Sequence, residues 1–192
     1  MATRLGCFAA LIVAWSGLVF AQVSGTPPSQ AGFRAALQTH HEMAQMEKDD
    51  TRLSELGRLR AIAIAKALDP DLGFEGWLLE LKGIEPTPRG GYFVRFIDPA
   101  LAAPDLAKPT FWNGGPGRIT RETAIPLNSR LYEALRAMKP GGKAIVSGHF
   151  FPDSDGGPVF ESAKLNFRAN EVELAKFRAP YFSVQFTDIA VR

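Results

Sequence analysis

The hydrophobic period of this chain changes at Gly73, and that change constrains the fold more than any other feature. Before it, Leu53, Leu56, Leu59 or Arg60, and Ala63 or Ile64 recur at three- and four-residue steps, with Ala67 and Leu68 after them. Such steps place side chains on one face of an α-helix. After it, apolar and polar residues alternate, the pattern of a strand with one buried face. The boundary is "LDPDLG", where Pro70 cannot donate a helical hydrogen bond and Gly73 permits a turn.

The helical pattern extends back to Ala31, with Phe33, Leu37, His40 or His41, and Ala44 near the same repeat. "EKDD" between the two halves is either a break or a charged solvent face, and Asp50 or Thr51 is expected to cap the second half. Downstream, "GWLLELKGIE" sets Trp77, Leu79 and Leu81 against Leu78, Glu80 and Lys82. "GYFVRFID" sets Tyr92, Val94 and Phe96 against Phe93, Arg95 and Ile97, and the turn "PTPRGG" makes the two a hairpin. A loop is expected from Pro99 to Gly117, then a third strand, "RITRETAIPL", ending at Pro126. "NSRLYEALRAMK" reads as a short helix capped by Asn128 or Ser129, with a Leu131, Leu135, Met138 stripe and a "KPGG" stop. "KAIVSGHFF" and "YFSVQFTDIAV" are the fourth and fifth strands. "NFRANEVELAKFRA", between them, fits a strand, a short helix or both.

At the N-terminus, Arg4 precedes the apolar run Cys7 to Ala21, with Val19 and Ala21 at the −3 and −1 positions of a cut before Gln22. This is the pattern of a secretory signal peptide. A retained anchor is the alternative, but the run is shorter than the roughly 20 apolar residues of a span. Cleavage removes Cys7, the only cysteine, and with it any disulfide or thiolate metal site. It also removes Arg4 and leaves the net charge, +2 for the whole chain, still closer to zero, which gives no general drive toward polyanions. The expected organisation is a signal peptide over 1–21, a linker over 22–30 ("QVSGTPPSQ"), a helical arm over 31–70 and a β domain over 74–192.

The order strand, strand, strand, helix, strand, strand is carried by "EGWLLELKGIE", "GYFVRFID", "TAIPLNSRLYEALRAMKPGGKAIVSGHFF" and "YFSVQFTDI". It resembles the OB-fold, a five-stranded Greek-key barrel with a helix between strands three and four. The stretch "PLNSRLYEALRAMKPGGKAIVSGHFF" followed by "FTDI" is also similar to secreted, uncharacterised bacterial proteins with a helical front and an OB-like barrel. The fold expected is therefore mostly β with α: an OB-like barrel preceded by a helical arm. The resemblance implies ligand binding across strands two and three. That face would carry Tyr92 or Phe93 with Arg95, beside a loop bearing Phe111 and Trp112. It implies no catalytic residue.

Other residues suggest chemistry more weakly. His40, His41 and Glu42 are adjacent, and adjacent helical residues point about 100° apart, poorly placed for one metal ion. "DSDGG" from Asp153 resembles half a calcium loop, but Glu161 falls short of the spacing a bidentate glutamate needs, and Asp and Gly also suit a turn. His149 could act as a general base; Ser147, two residues away on the same strand face, is about 7 Å off, too far for a dyad. A nuclease-type site could draw on Arg95, Asp98, Arg118, Arg121 and Glu122, without a matching motif. "NGGPG", Asn113 to Gly117, lacks the Gly-Lys-Ser/Thr ending of a phosphate loop. Tyr92, Phe93, Arg95, Phe111 and Trp112 could form a stacking platform for single-stranded nucleic acid, although strand aromatics more often fill cores.

The sequence is thus expected to specify a secreted or periplasmic, non-enzymatic binding module of the cell envelope. No metal or cofactor is expected, and no membrane span remains after cleavage. The expected partner is a protein or an envelope component. The alternatives are an oligonucleotide or oligosaccharide on the same face, or a hydrolase using His149 with carboxylates.

Overall fold

A computed structural model describes residues 25–88, 90–101, 103–114, 123–153, 157–163 and 172–192. Two helices, α1 (Pro28–Met46) and α2 (Asp50–Ala67), precede β1 (Gly73–Pro86), β2 (Tyr92–Ile97), β3 (Thr110–Trp112), α3 (Arg130–Arg136), β4 (Lys143–Phe150), β5 (Glu161–Ala163), α4 (Val172–Arg178) and β6 (Pro180–Val191). β1 pairs antiparallel with β2 and with β4, β2 with β3, and β4 with β6. A parallel pairing of β3 with β6 closes the ring. The result is a closed five-stranded mixed barrel with α3 between β3 and β4, the OB-like architecture expected. Closure satisfies strand edges that would otherwise be free to pair with other chains. β5 adds a short antiparallel pairing at the start of β6.

The alternation in the sequence is the alternation of the barrel. Trp77, Leu79 and Leu81 of β1, Val94 and Phe96 of β2, Ala144 and Val146 of β4, and Phe182 and Val184 of β6 are all fully buried. β1 is long enough to pair two neighbours because it bends. Its register with β4 shifts between Phe74 and Trp77, where Gly76 takes φ +68°, a left-handed conformation that glycine adopts without steric cost.

The third strand departs from expectation. β3 is Thr110–Trp112, inside the segment read as a loop. Of "RITRETAIPL", residues 118–122 lie outside the described residues, and Ile125 forms only an isolated bridge with Tyr92. Three residues suffice for β3 because Asn113 continues its pairing with a side chain. Asn113 Oδ1 accepts from Val94 N at 2.6 Å, and its Nδ2 donates to Thr123 O at 2.7 Å and Tyr92 O at 3.2 Å.

The N-terminal helical region packs against the barrel. α1 begins at Pro28, within the expected linker, and its Phe33 enters the barrel interior. The Phe33 ring lies 5.0 Å from Trp77, 5.5 Å from Phe111, 5.8 Å from Phe150 and 5.3 Å from Phe182, centroid to centroid. Tilted and edge-to-face arrangements like these are favoured by the ring quadrupoles. Polar contacts fix the same helix. Gln30 pairs with the backbone of Leu78 through both ends of its amide, and Trp77 Nε1 donates to Ser29 Oγ at 2.9 Å.

"EKDD" is a break between α1 and α2. The cap of α2 is Asp49, one residue before the expected pair, and it accepts from Arg52 N at 3.0 Å. Ser129 caps α3. The segment between β4 and β6 contains both a strand and a helix, β5 and α4. A second small core of Ala44, Leu53 and Phe177 joins α1, α2 and α4.

Candidate functional site on the outer face of β2, β3 and β6

Because Val94 and Phe96 point inward, Phe93 and Arg95 point outward from β2. Because Phe111 points inward, its neighbour Trp112 points outward from β3, opposite Arg95 in the register. The same parity on β6, where Phe182 is inward, turns Tyr181 outward. The three outer rings meet edge to face: Phe93 to Trp112 at 5.7 Å and 68°, and Trp112 to Tyr181 at 5.7 Å and 74°. All three are half-buried. Arg95 Nη2 donates to Glu85 of β1, so the ladder ends in an ion pair. Burial pushes the Tyr181 phenol above its ordinary value, and Arg95 opposes that shift.

The base under this ladder is closely packed. A Cβ on Gly114 would stand 2.2 Å from the Trp112 ring, so the ring lies directly on the Gly114 backbone. The Gly114 carbonyl accepts from Ser183 Oγ of β6 at 3.1 Å. Trp112 Nε1 and Arg95 Nε are buried and have no hydrogen-bond partner among the described residues.

The structure divides the aromatic residues singled out in the sequence. Phe93, Arg95 and Trp112 come together on the outer face. Phe111 does not; it is fully buried in the barrel core, because β3 is a strand there and not a loop. Tyr92 sits on the other side of β2 from Phe93, and its ring stacks on Tyr132 of α3 at 4.9 Å and 11°. A hydrogen bond between the two hydroxyls holds the Tyr92 phenol above its ordinary value. Tyr181 and Glu85 complete the face, and neither was expected. The parity of "PYFSVQF" would have indicated Tyr181, but only once β6 is known to run beside β3.

The remaining candidates are dispersed. His149 faces outward on β4, a strand that pairs with β1 and β6 and not with β2 or β3. Its nearest carboxylate is the exposed Asp71, 3.5 Å from Nδ1. Ser147 Oγ accepts from Gly76 N at 3.1 Å. His40 is half-buried, with Nδ1 at 2.8 Å from Ala36 O. His41 is 2% exposed, with Nδ1 at 3.0 Å from Phe177 O of α4. Asp98 is fully buried against Arg34, which removes it from any nuclease-type cluster. Arg118, Arg121 and Glu122 lie outside the described residues. Asp153 N donates to Gly157 O at 3.1 Å, as in a turn, and residues 154–156 also lie outside. Among the described residues no group of three His, Cys, Asp or Glu is placed to hold a metal ion, and no helix is long and apolar enough to cross a membrane.

No protein-family model, curated protein or solved structure matches this chain.

Proposed function

We propose that the chain is an exported, non-enzymatic binding module of the cell envelope that holds a protein partner on the outer face of β2, β3 and β6. The observation that carries this reading is the ladder of Phe93, Trp112 and Tyr181 with Arg95 beside it. Trp, Tyr and Arg on a closely packed, half-desolvated base are the residues that dominate protein–protein affinity. Two features favour a protein over a polyanion. The rings meet edge to face and make a ridge, whereas stacked bases want an open ring face. Arg95 is already paired with Glu85, so it adds little positive charge for a phosphate backbone. Export rests on the basic start and apolar run through Ala21.

The test is capture from envelope extract with the full chain and with a Phe93→Ala/Trp112→Ala variant, at low and high salt. A stoichiometric protein that survives high salt and is lost with the variant supports the proposal. Recovery of salt-sensitive nucleic acid or polysaccharide alone would replace it with the oligomer-binding reading. Equal capture by the variant would exclude this face. Export is checked separately by the mass of the chain recovered from outside the cytoplasm, which should begin at Gln22.

A further inference from the structure

Behind the aromatic ladder, one buried side chain holds together the two segments that lead into it. His41 of α1 is 2% exposed, and each of its ring nitrogens meets a backbone carbonyl. Nδ1 lies 3.0 Å from Phe177 O of α4, and Nε2 lies 3.1 Å from Pro104 O in the segment before β3. The same Nε2 lies 2.9 Å from Gln45 Nε2, one turn further along α1. The two carbonyl-bearing segments are also joined directly, by Ala107 N donating to Arg178 O at 2.7 Å. Just beyond that link, Thr110 and Tyr181 open the parallel pairing of β3 with β6 that closes the barrel.

A carbonyl oxygen only accepts, so a ring nitrogen that bonds to one must carry hydrogen. A neutral imidazole has one N–H and the imidazolium has two. His41 therefore serves both carbonyls only when doubly protonated. In the neutral ring one nitrogen becomes an acceptor, and the Gln45 amide is placed to donate to Nε2. Gln45 is exposed, so its amide can turn with the state of the ring. Phe177 is fully buried, whereas Pro104 is exposed. The carbonyl that can be released at least cost is that of Pro104, because water can replace the lost donor.

The charged and titratable groups of the surrounding elements are few. On α1 they are His40, turned to Ala36 O, and Glu42, which accepts from Gln38. Lys176 and Arg178 flank Phe177 on α4, and Asp105 follows Pro104. Arg60 of α2 lies against the Phe177 ring, with its charge matched by Glu161 of β5. Among the described residues no carboxylate forms an ion pair with His41, so its charge is met by the two carbonyl dipoles.

We propose that His41 is a proton-controlled clamp on the segment entering β3, and through it on the face that carries Trp112 and Tyr181. Imidazole is the side chain whose charge ordinarily changes between about pH 5 and 8. Protonated, the ring ties Pro104 and Phe177 to α1. Deprotonated, it keeps Phe177 and lets go of Pro104. The contribution of the clamp is complete at low pH and is lost as pH rises through the titration of the ring. Regulation of docking rests on the proposed role of that face; the clamp itself does not.

The test follows the histidine nitrogens of the full chain by NMR between about pH 5 and 8. Both His41 nitrogens should carry hydrogen at the acid end, and Nε2 alone should lose it as pH rises. Amide exchange at Ala107 is compared with that of His41→Gln at each pH, so that the intrinsic effect of pH cancels. The ratio of wild-type to variant rate should rise about tenfold from acid to alkali, as for loss of one hydrogen bond to a charged group. Gln45→Met removes the donor to the neutral ring and should move the release to higher pH. A ring whose protonation does not change across the range, or an exchange ratio that stays flat, would overturn the clamp. If His41→Gln does not fold, the nitrogen titration of wild type and Gln45→Met decides. Capture from envelope extract at both ends of the range tests the regulation: a pH dependence that Gln45→Met displaces supports it, and equal capture at both ends removes it. A clamp that titrates while no partner is captured at either end sinks the docking role and not the clamp.

Discussion

Arg34 of α1 grips Asp98, just past the end of β2, with two parallel hydrogen bonds: Nε to Oδ2 at 2.7 Å and Nη2 to Oδ1 at 2.8 Å. Asp98 has no exposed surface, whereas Arg34 keeps 19% of its side chain in contact with solvent. Gln30 Nε2 and Ala100 N supply two further donors to the same carboxylate. The pair makes the docking of α1 an ionic contact as well as an apolar one.

The asymmetry in burial gives a prediction. Arg34→Met leaves a buried carboxylate without its cation and should cost about 3–5 kcal/mol. Asp98→Asn leaves a cation that can turn outward to water, and should cost less. Urea unfolding of the two variants checks the order; equal losses would mean that the carboxylate finds a substitute partner.

Phe33 should matter as much as any strand residue. Phe33→Ala empties the centre of a ring cluster formed by Trp77, Phe111, Phe150 and Phe182, and large-to-small changes of this kind cost about 3–5 kcal/mol. Barrel and helix signals are expected to melt together in the variant. A barrel that keeps its stability without Phe33 would mean that the docking of α1 adds nothing to the core.

The three tyrosines, Tyr92, Tyr132 and Tyr181, provide an alkaline probe. The hydrogen bond with Tyr132 raises Tyr92, and burial raises Tyr181. Both neutral phenols are favoured by the fold, so their contribution is complete below the ordinary phenol pKa of about 10 and is lost as pH rises through the folded values. Absorbance titration of the native chain should lag behind that of the unfolded chain. Tyr132→Phe should bring Tyr92 down and leave Tyr181 unmoved.

Gly114→Ala tests the floor of the outer ladder. The new methyl cannot coexist with the Trp112 ring, so the ring must leave its place between Phe93 and Tyr181. A cost of about 1–3 kcal/mol is expected, as for other overpacked sites. The near-ultraviolet circular dichroism of Trp112 should collapse while the far-ultraviolet spectrum persists. Unchanged spectra would show that the ring is not seated on Gly114.

The architecture was legible where side chains alternate over long runs. Trp77 to Leu81 and Phe182 to Phe186 each repeat an inward residue often enough to define a face. β3 was not, since three residues are too few to show a period and "RITRETAIPL" nearby imitates one. Nothing in the sequence signals that the Asn113 amide would extend such a short strand. A helical stripe likewise states which residues are buried but not against what; Phe33 reads the same on an arm as in a barrel. Arg60 shared a slot of the α2 repeat with Leu59, and the structure buries the arginine while leaving Leu59 40% exposed. Phe93, Arg95 and Trp112 were found by strand parity. Tyr181 was missed because its place depends on the parallel pairing of β3 with β6, a contact between distant parts of the chain.

The position of Phe33 has a consequence for the order in which the molecule forms. The ring near the beginning of the described chain packs on Phe182, which lies close to its end. The barrel is closed by β6, which follows its other strands in the sequence. The apolar face of α1 therefore has no finished surface to rest on until β6 has been made. Contacts so far apart in sequence slow folding, because a long loop must close before they form. During that interval the face bearing Phe33 and Leu37 is the part of the nascent chain most in need of protection from other chains.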